Sequence, residues 1–92
     1  ALIWAARAGQ DKTVRQLIAA GAEVNAADSH HRTALMYAAM NSHPKVVDTL
    51  LMHRADIRQK DKAGATALHL AARYGGNGEI TRSLIEKGAE IT

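Results

Sequence analysis

The sequence predicts an all-α fold, a solenoid of three stacked helix-turn-helix units with hairpin-like loops, and three observations point to it. First, Asp28-Ser-His-His-Arg-Thr-Ala-Leu-Met-Tyr-Ala-Ala returns thirty-three residues later as Asp61-Lys-Ala-Gly-Ala-Thr-Ala-Leu-His-Leu-Ala-Ala, and its second half opens the chain as Ala1-Leu-Ile-Trp-Ala-Ala. A fixed period of this size marks units that bury their apolar faces by stacking. Second, the rest of each unit repeats: Val14, Leu17 and Ile18 correspond to Val47, Leu50 and Leu51, and Gly21-Ala-Glu-Val to Arg54-Ala-Asp-Ile and Gly88-Ala-Glu-Ile. Third, hydrophobic residues make up 47% of the 92, yet there is no Phe, one Trp and two Tyr. No cluster of large rings supplies a central core, so burial must be spread over many small contacts. Length and repeat together predict one domain over 1–92, with units at about 1–27, 28–60 and 61–92.

In each unit the first helix follows from Leu2, Ala5 and Ala6, then Leu35, Ala38 and Ala39, then Leu68, Ala71 and Ala72, which share one helical face at i, i+3 and i+4. Alanine pairs permit close approach of neighbouring helices. Thr33 and Thr66 stand where an N-cap hydroxyl would satisfy an orphan amide. Gly9 and Gly75 follow two of these helices as left-handed C-caps, with Ser42 in the equivalent place at a local penalty. The second helices start near Asp11, Pro44 and Gly78, and Pro44 suits a first helical position because its missing N–H would be unpaired there. Their buried stripes are Val14-Leu17-Ile18, Val47-Leu50-Leu51 and Thr81-Leu84-Ile85. Gly21 and Gly88 are expected to end second helices, and Arg54 replaces that glycine in the middle unit. Residues 22–33 and 55–66 read as extended loops or hairpins, and the extra residue in 75–78 marks the most mobile spot.

These residues resemble ankyrin repeats, whose pattern is Asp-x-x-Gly-x-Thr-Pro-Leu-His-x-Ala-Ala-x-x-Gly, a Val-x-x-Leu-Leu helix, then Gly-Ala-Asp-Val-Asn. Residues 61–75 match almost throughout. Departures are Ala1, Ala34 and Ala67 at the proline position, Ile3 and Met36 at the histidine position, His31 for glycine, and Arg58 or Thr92 for asparagine. The resemblance implies a curved stack with hairpins projecting to one side, and a non-catalytic role in binding another protein or an acidic peptide through the concave surface. Carried onto this sequence, the groove-facing positions include Arg7, Ser29, His30, Arg32, Met40, Asn41, Lys60, Lys62, Arg73 and Tyr74. With Ala8, Ala27, Ala63 and Ala65 they hold five of the twelve Lys and Arg residues and none of the nine acids. A groove of that charge suits an acidic partner, with Met40 and Tyr74 as apolar anchors. The alternative is a structural spacer: a fragment of a longer solenoid, or an artificial trimmed array, with no ligand of its own.

Other chemistries lack their residues. The glycine run at 75–78 has no Lys-Ser/Thr ending and follows a helix, so it is no phosphate loop, and no enzyme or cofactor is expected. The five histidines show no i, i+4 ligand pair and no cysteine joins them, which disfavours a metal; His69 reads as structural, bonded to the Thr66 hydroxyl. Nucleic acid is disfavoured because stacking aromatics are scarce, although the net charge is +3. No segment approaches a membrane span. The expected setting is intracellular and cytoplasmic, a point the absence of cysteine leaves open. Trp4, Tyr37 and Leu70 form a thirty-three-residue ladder that reads as packing between units. At the ends, Leu2, Ile3 and Trp4 have no earlier unit over them, nor Leu70 and Ile80 a later one, so the N-terminal flank is expected either to drive self-association or to be covered by a missing segment of the parent protein.

Overall fold

The computed structural model describes residues 2–75 and 78–91, with no account of the side chains of residues 75 and 88–91. Among these described residues six α-helices follow in order: α1 Leu2–Ala8, α2 Asp11–Ala19, α3 Ala34–Met40, α4 Pro44–Met52, α5 Ala67–Leu70 and α6 Gly78–Ile91, with a π-helical turn at Ala71–Gly75 extending α5. Among the described residues there is no strand, only one isolated antiparallel bridge between Ala27 and Thr33 at a hairpin neck. This is the all-α stack of helix pairs that the repeat predicts.

The first helices form the inner layer, and their small residues vanish into it. Ala5, Ala6, Ala34, Ala38, Ala39, Ala67 and Ala71 are buried together with Leu2, Leu35 and Leu70, while Val14, Val46, Val47, Leu50, Ile80 and Leu84 close the layer from the second helices. In α3 every residue from Ala34 to Ala39 is buried, because units cover both of its flanks. The ladder of large residues divides for the same reason. Tyr37, under Arg7 of the preceding unit, and Leu70 are buried, whereas Trp4 is 64% exposed. Leu70 and Ile80 are therefore not the open end expected of the third unit. That end exposes Ile85, at 53%, and Ala72, the one alanine of the repeated pairs that is not covered.

Four helix ends share one hydrogen-bond pattern. Gly9 N donates to Ala6 O and Gln10 N to Ala5 O; Gly21 N to Ile18 O and Ala22 N to Leu17 O; Ser42 N to Ala39 O and His43 N to Ala38 O; Arg54 N to Leu51 O and Ala55 N to Leu50 O. Each is a Schellman cap, which requires a left-handed residue after the helix. Gly9 and Gly21 adopt it, and so do Ser42 at φ 58° and Arg54 at φ 67°. At Gly9 the neighbour matters as well: a Cβ there would lie 2.5 Å from His43 Nδ1. The His43 ring is drawn in because its Nε2 lies 3.0 Å from the Arg7 carbonyl, which also accepts from Asn41 Nδ2 at 3.1 Å.

The third unit departs from the expected outline twice. Its extra residue is taken up in part by the π turn, where one residue more per turn widens the helix; Gly76 and Asn77 of the run expected to be mobile lie outside the described residues. Gly88 does not end the second helix, since α6 continues to Ile91. A glycine within a helix costs about 1 kcal/mol but does not forbid the conformation, so its presence alone could not place the end.

Thr33 and Thr66 do cap their helices, accepting from Met36 N and His69 N, each at 3.4 Å. His69 Nδ1 stands 2.9 Å from the Thr66 hydroxyl and accepts from the Thr66 amide at 3.2 Å, completing a capping box in which histidine takes the part usual for glutamate. Across units, Asn25 Oδ1 accepts from Asp56 N at 2.6 Å and the buried Thr49 hydroxyl donates to Asp11 Oδ1.

Two substitutions probe the caps. Arg54→Gly removes a left-handed strain of about 1–2 kcal/mol and restores up to about 1 kcal/mol of unfolded-chain freedom, so thermal unfolding should move upward by a few degrees. An unchanged or lowered midpoint would mean that the arginine stem packs favourably. Gly9→Ala should lower stability by about 2 kcal/mol or more, combining the same strain with the His43 clash, measurable by urea titration.

Candidate functional site

The hairpin tips are built twice from the same aspartate. Asp28 Oδ1 accepts from His30 N at 2.9 Å and Arg32 N at 3.0 Å, and Asp61 Oδ1 from Ala63 N at 3.0 Å and Ala65 N at 2.9 Å. Each aspartate also exchanges backbone bonds around the tip: Asp28 N to Arg32 O with His31 N to Asp28 O, and Asp61 N to Ala65 O with Gly64 N to Asp61 O. The turn needs a left-handed residue, supplied by His31 in one tip and Gly64 in the other. The tips are then tied side by side, because Lys62 N donates to His30 O at 3.0 Å.

Where the first tip meets α1 and α3 there is a hollow of about 420 Å³ lined by Arg7, Asp28, His30, Arg32, Tyr37, Met40 and Asn41. Its floor is Tyr37, 9% exposed, whose hydroxyl donates to Asp28 Oδ2. The Arg7 and Arg32 guanidinium carbons each stand 5.9 Å from the Tyr37 ring centroid, within cation–π range. Arg32 also reaches the next unit: its Nε, shielded from solvent and without a hydrogen-bond partner, is 3.6 Å from Asp61 Oδ2. A second, smaller hollow of about 270 Å³ lies against the second tip, lined by Ala63, Gly64, Ala65, His69, Leu70 and Arg73.

The residues expected to form the groove therefore distribute unevenly. Arg7, His30, Arg32, Met40 and Asn41 gather at the first hollow, Arg73 at the second, while Ser29, Lys60, Lys62 and Tyr74 are exposed around neither. Tyr74 stands beside Arg73, whose guanidinium is 6.0 Å from its ring centroid, both carried by the π turn. Two residues at the first hollow were assigned elsewhere by sequence. Tyr37 reads as core from its place in the ladder, and it is core, but its edge reaches the surface under two arginines. Asp28 reads as a turn residue, and its second oxygen turns toward the hollow. No sequence signal separates those roles, since both follow from one side chain having two ends.

Electrostatics follow from these bonds. Burial pushes the Asp28 carboxyl up, but hydrogen bonds from the Tyr37 hydroxyl and the Arg32 and His30 amides outweigh it and hold it below the usual carboxylate range. The Asp61 carboxyl is likewise lowered, by the Ala65 amide first, against desolvation, with help from the Ala63 amide and Arg32. The Tyr37 hydroxyl is raised by donating to Asp28 and by burial. Among the described residues, no three His, Cys, Asp or Glu side chains gather as a metal site. No helix among them is long and apolar enough to cross a membrane.

Residues 2–92 match the family described as ankyrin repeats in three copies. The ankyrin repeat domain-containing protein SAT10 of Stachybotrys chartarum is 36% identical over 90 residues, covering 97% of this chain and 5% of that protein. The ankyrin repeat and KH domain-containing protein mask-1 of Caenorhabditis elegans is 44% identical over 91 residues, covering 98% of this chain and 3% of the relative. The E3 ubiquitin-protein ligase XBAT33 of Arabidopsis thaliana is 43% identical over 75 residues, covering 80% and 15%. The chain thus corresponds to a small part of each of these proteins.

The lowered carboxyls set an acid limit. A folded-state value below the unfolded value of 3.8 contributes stability that is present above that value and is lost as pH falls through the folded one. Denaturant midpoints should hold near neutrality and decline below about pH 4. Asp61→Asn should flatten this decline while lowering neutral stability, whereas an unaltered acid slope would place the sensitive carboxyls elsewhere.

Proposed function

This chain belongs to the ankyrin repeat family, and from that premise we propose that it is a non-catalytic interaction module that binds a partner protein or acidic peptide across its hairpin tips and first helices. The observation that carries the reading is the convergence of Arg7, His30, Arg32, Met40 and Asn41 on one hollow from three separate segments. The groove is less uniformly basic than the variable positions by themselves suggest, since Asp28 lines the hollow and Asp61 offsets Arg32. Arg7 and Arg73 then carry the accessible charge at the two hollows, with the exposed Lys60 and Lys62 on the loops between the helices and Met40 and Tyr74 as apolar contacts. The proposed setting is intracellular and cytoplasmic. Neither a cofactor nor a nucleic acid belongs to this reading.

Charge reversal tests it against the spacer alternative. A partner recovered from host lysate should lose binding strongly with the pair Arg7→Glu and Arg73→Glu, because like-charge juxtaposition across an interface costs several kcal/mol. Lys12→Glu with Lys45→Glu, on α2 and α4, should change binding little. Binding should weaken with added salt as exposed charges are screened. Equal losses from both pairs would remove the groove assignment, and the absence of any specific partner would favour the spacer.

A second surface has its own observation, the exposure of Trp4 at 64% beside the half-buried Ile3. We propose that this flank of α1 supports self-association. Sedimentation at rising concentration should show a larger species that Trp4→Ala abolishes; a monomer at every concentration would rule it out.

A further inference from the structure

We infer that the hollow over Tyr37 is a subsite for a single carboxylate of the partner, an aspartate or glutamate side chain held by Arg7 and Arg32. The inference rests on the groove reading above and narrows it to one chemical group at one place.

The balance of donors and acceptors around the hollow points to an anion. The acceptors nearest the ring are already engaged. Asp28 Oδ1 takes the His30 and Arg32 amides, Asp28 Oδ2 takes the Tyr37 hydroxyl, and the Arg7 carbonyl takes Asn41 Nδ2 and stands 3.0 Å from His43 Nε2. The donors are not. Among the described residues no carboxylate pairs with the exposed Arg7 guanidinium, which has the Tyr37 ring beside it. Arg32 Nε is shielded from water, and at 3.6 Å from Asp61 it falls short of a hydrogen bond.

The guanidinium fork matches a carboxylate in two parallel N–H···O bonds, and both forks stand at the same distance from one ring, which restricts their freedom before binding. Asp28 and Asp61 remove the advantage of greater charge. Their two negative charges formally offset Arg7 and Arg32, so recognition depends on directed donors more than on net attraction, and the second charge of a phosphate brings no net gain over a carboxylate. Met40 lines the same hollow and accepts the methylene stem of an acidic side chain.

The test is a titration of the isotope-labelled protein with the blocked tripeptide acetyl-Gly-Glu-Gly-amide, its glutamine counterpart and inorganic phosphate, following the arginine Nε–Hε resonances. The glutamate peptide should shift Arg7 and Arg32 saturably at millimolar concentration, the glutamine peptide should not, and phosphate should bind no more tightly than the glutamate peptide. Arg7→Gln should reduce the affinity about tenfold or more, and Arg7→Lys, which keeps the charge and loses the fork, should recover only part of it. Equal shifts with the glutamine peptide, tighter binding of phosphate, or no shift of Arg7 and Arg32 at tens of millimolar would each overturn the subsite. The groove reading fails separately. A lysate partner lost on Arg73→Glu but retained on Arg7→Gln removes the subsite and leaves the groove, whereas a partner indifferent to both removes both.

Discussion

The close approach of successive first helices is the constraint on which the rest of this structure depends. It is possible because the facing positions are alanine, and Ala5, Ala6, Ala38, Ala39 and Ala71 all disappear from solvent. A methyl leaves room for a neighbouring helix where a larger side chain would force the backbones apart. Units placed this near can bury modest residues such as Val14, Val47, Leu50 and Leu84 without any phenylalanine. They also bring the hairpin tips side by side, which is why Lys62 N reaches His30 O and Arg32 reaches Asp61.

Close stacking also propagates backbone geometry into places where the residues do not favour it. Four helix ends take the same Schellman cap, and two of them do so with serine and arginine in the left-handed position. His31 does likewise in the first hairpin, where the second has Gly64. Strain of about 1–2 kcal/mol per site is tolerated because the alternative is to lose the burial of a whole helix pair. The π turn of the third unit is another form of accommodation. An inserted residue there widens one turn, and the widened turn carries Arg73 and Tyr74.

The hollow shows how a repeated structural device becomes an individual surface. Both tips use an aspartate to collect amides at i+2 and i+4, so one carboxylate oxygen is committed to the turn in each. The other oxygen is free to differ. Asp61 uses it toward Arg32, at a boundary between units, while Asp28 uses it to hold the Tyr37 hydroxyl. Tyr37 then stands beneath two guanidiniums that come from different units. The same scaffold bond is thus made twice, and the chemistry beside it is made once.

The sequence by itself determined the period, the content of each unit, the helix pairs, the threonine caps and the role of His69, because all of these are written in contacts within a turn or two of the chain. The family resemblance, carried over through the register of the repeat, implied Arg7, His30, Arg32, Met40 and Asn41 among its groove positions. Tertiary structure alone decided that Leu70 and Ile80 are buried and that α6 runs through Gly88. It also decided that Asp28 and Tyr37 belong to the hollow. The physical reason is that a repeat fixes which residues are equivalent, whereas the orientation of one unit on the next fixes which side of each residue meets a neighbour and which meets water.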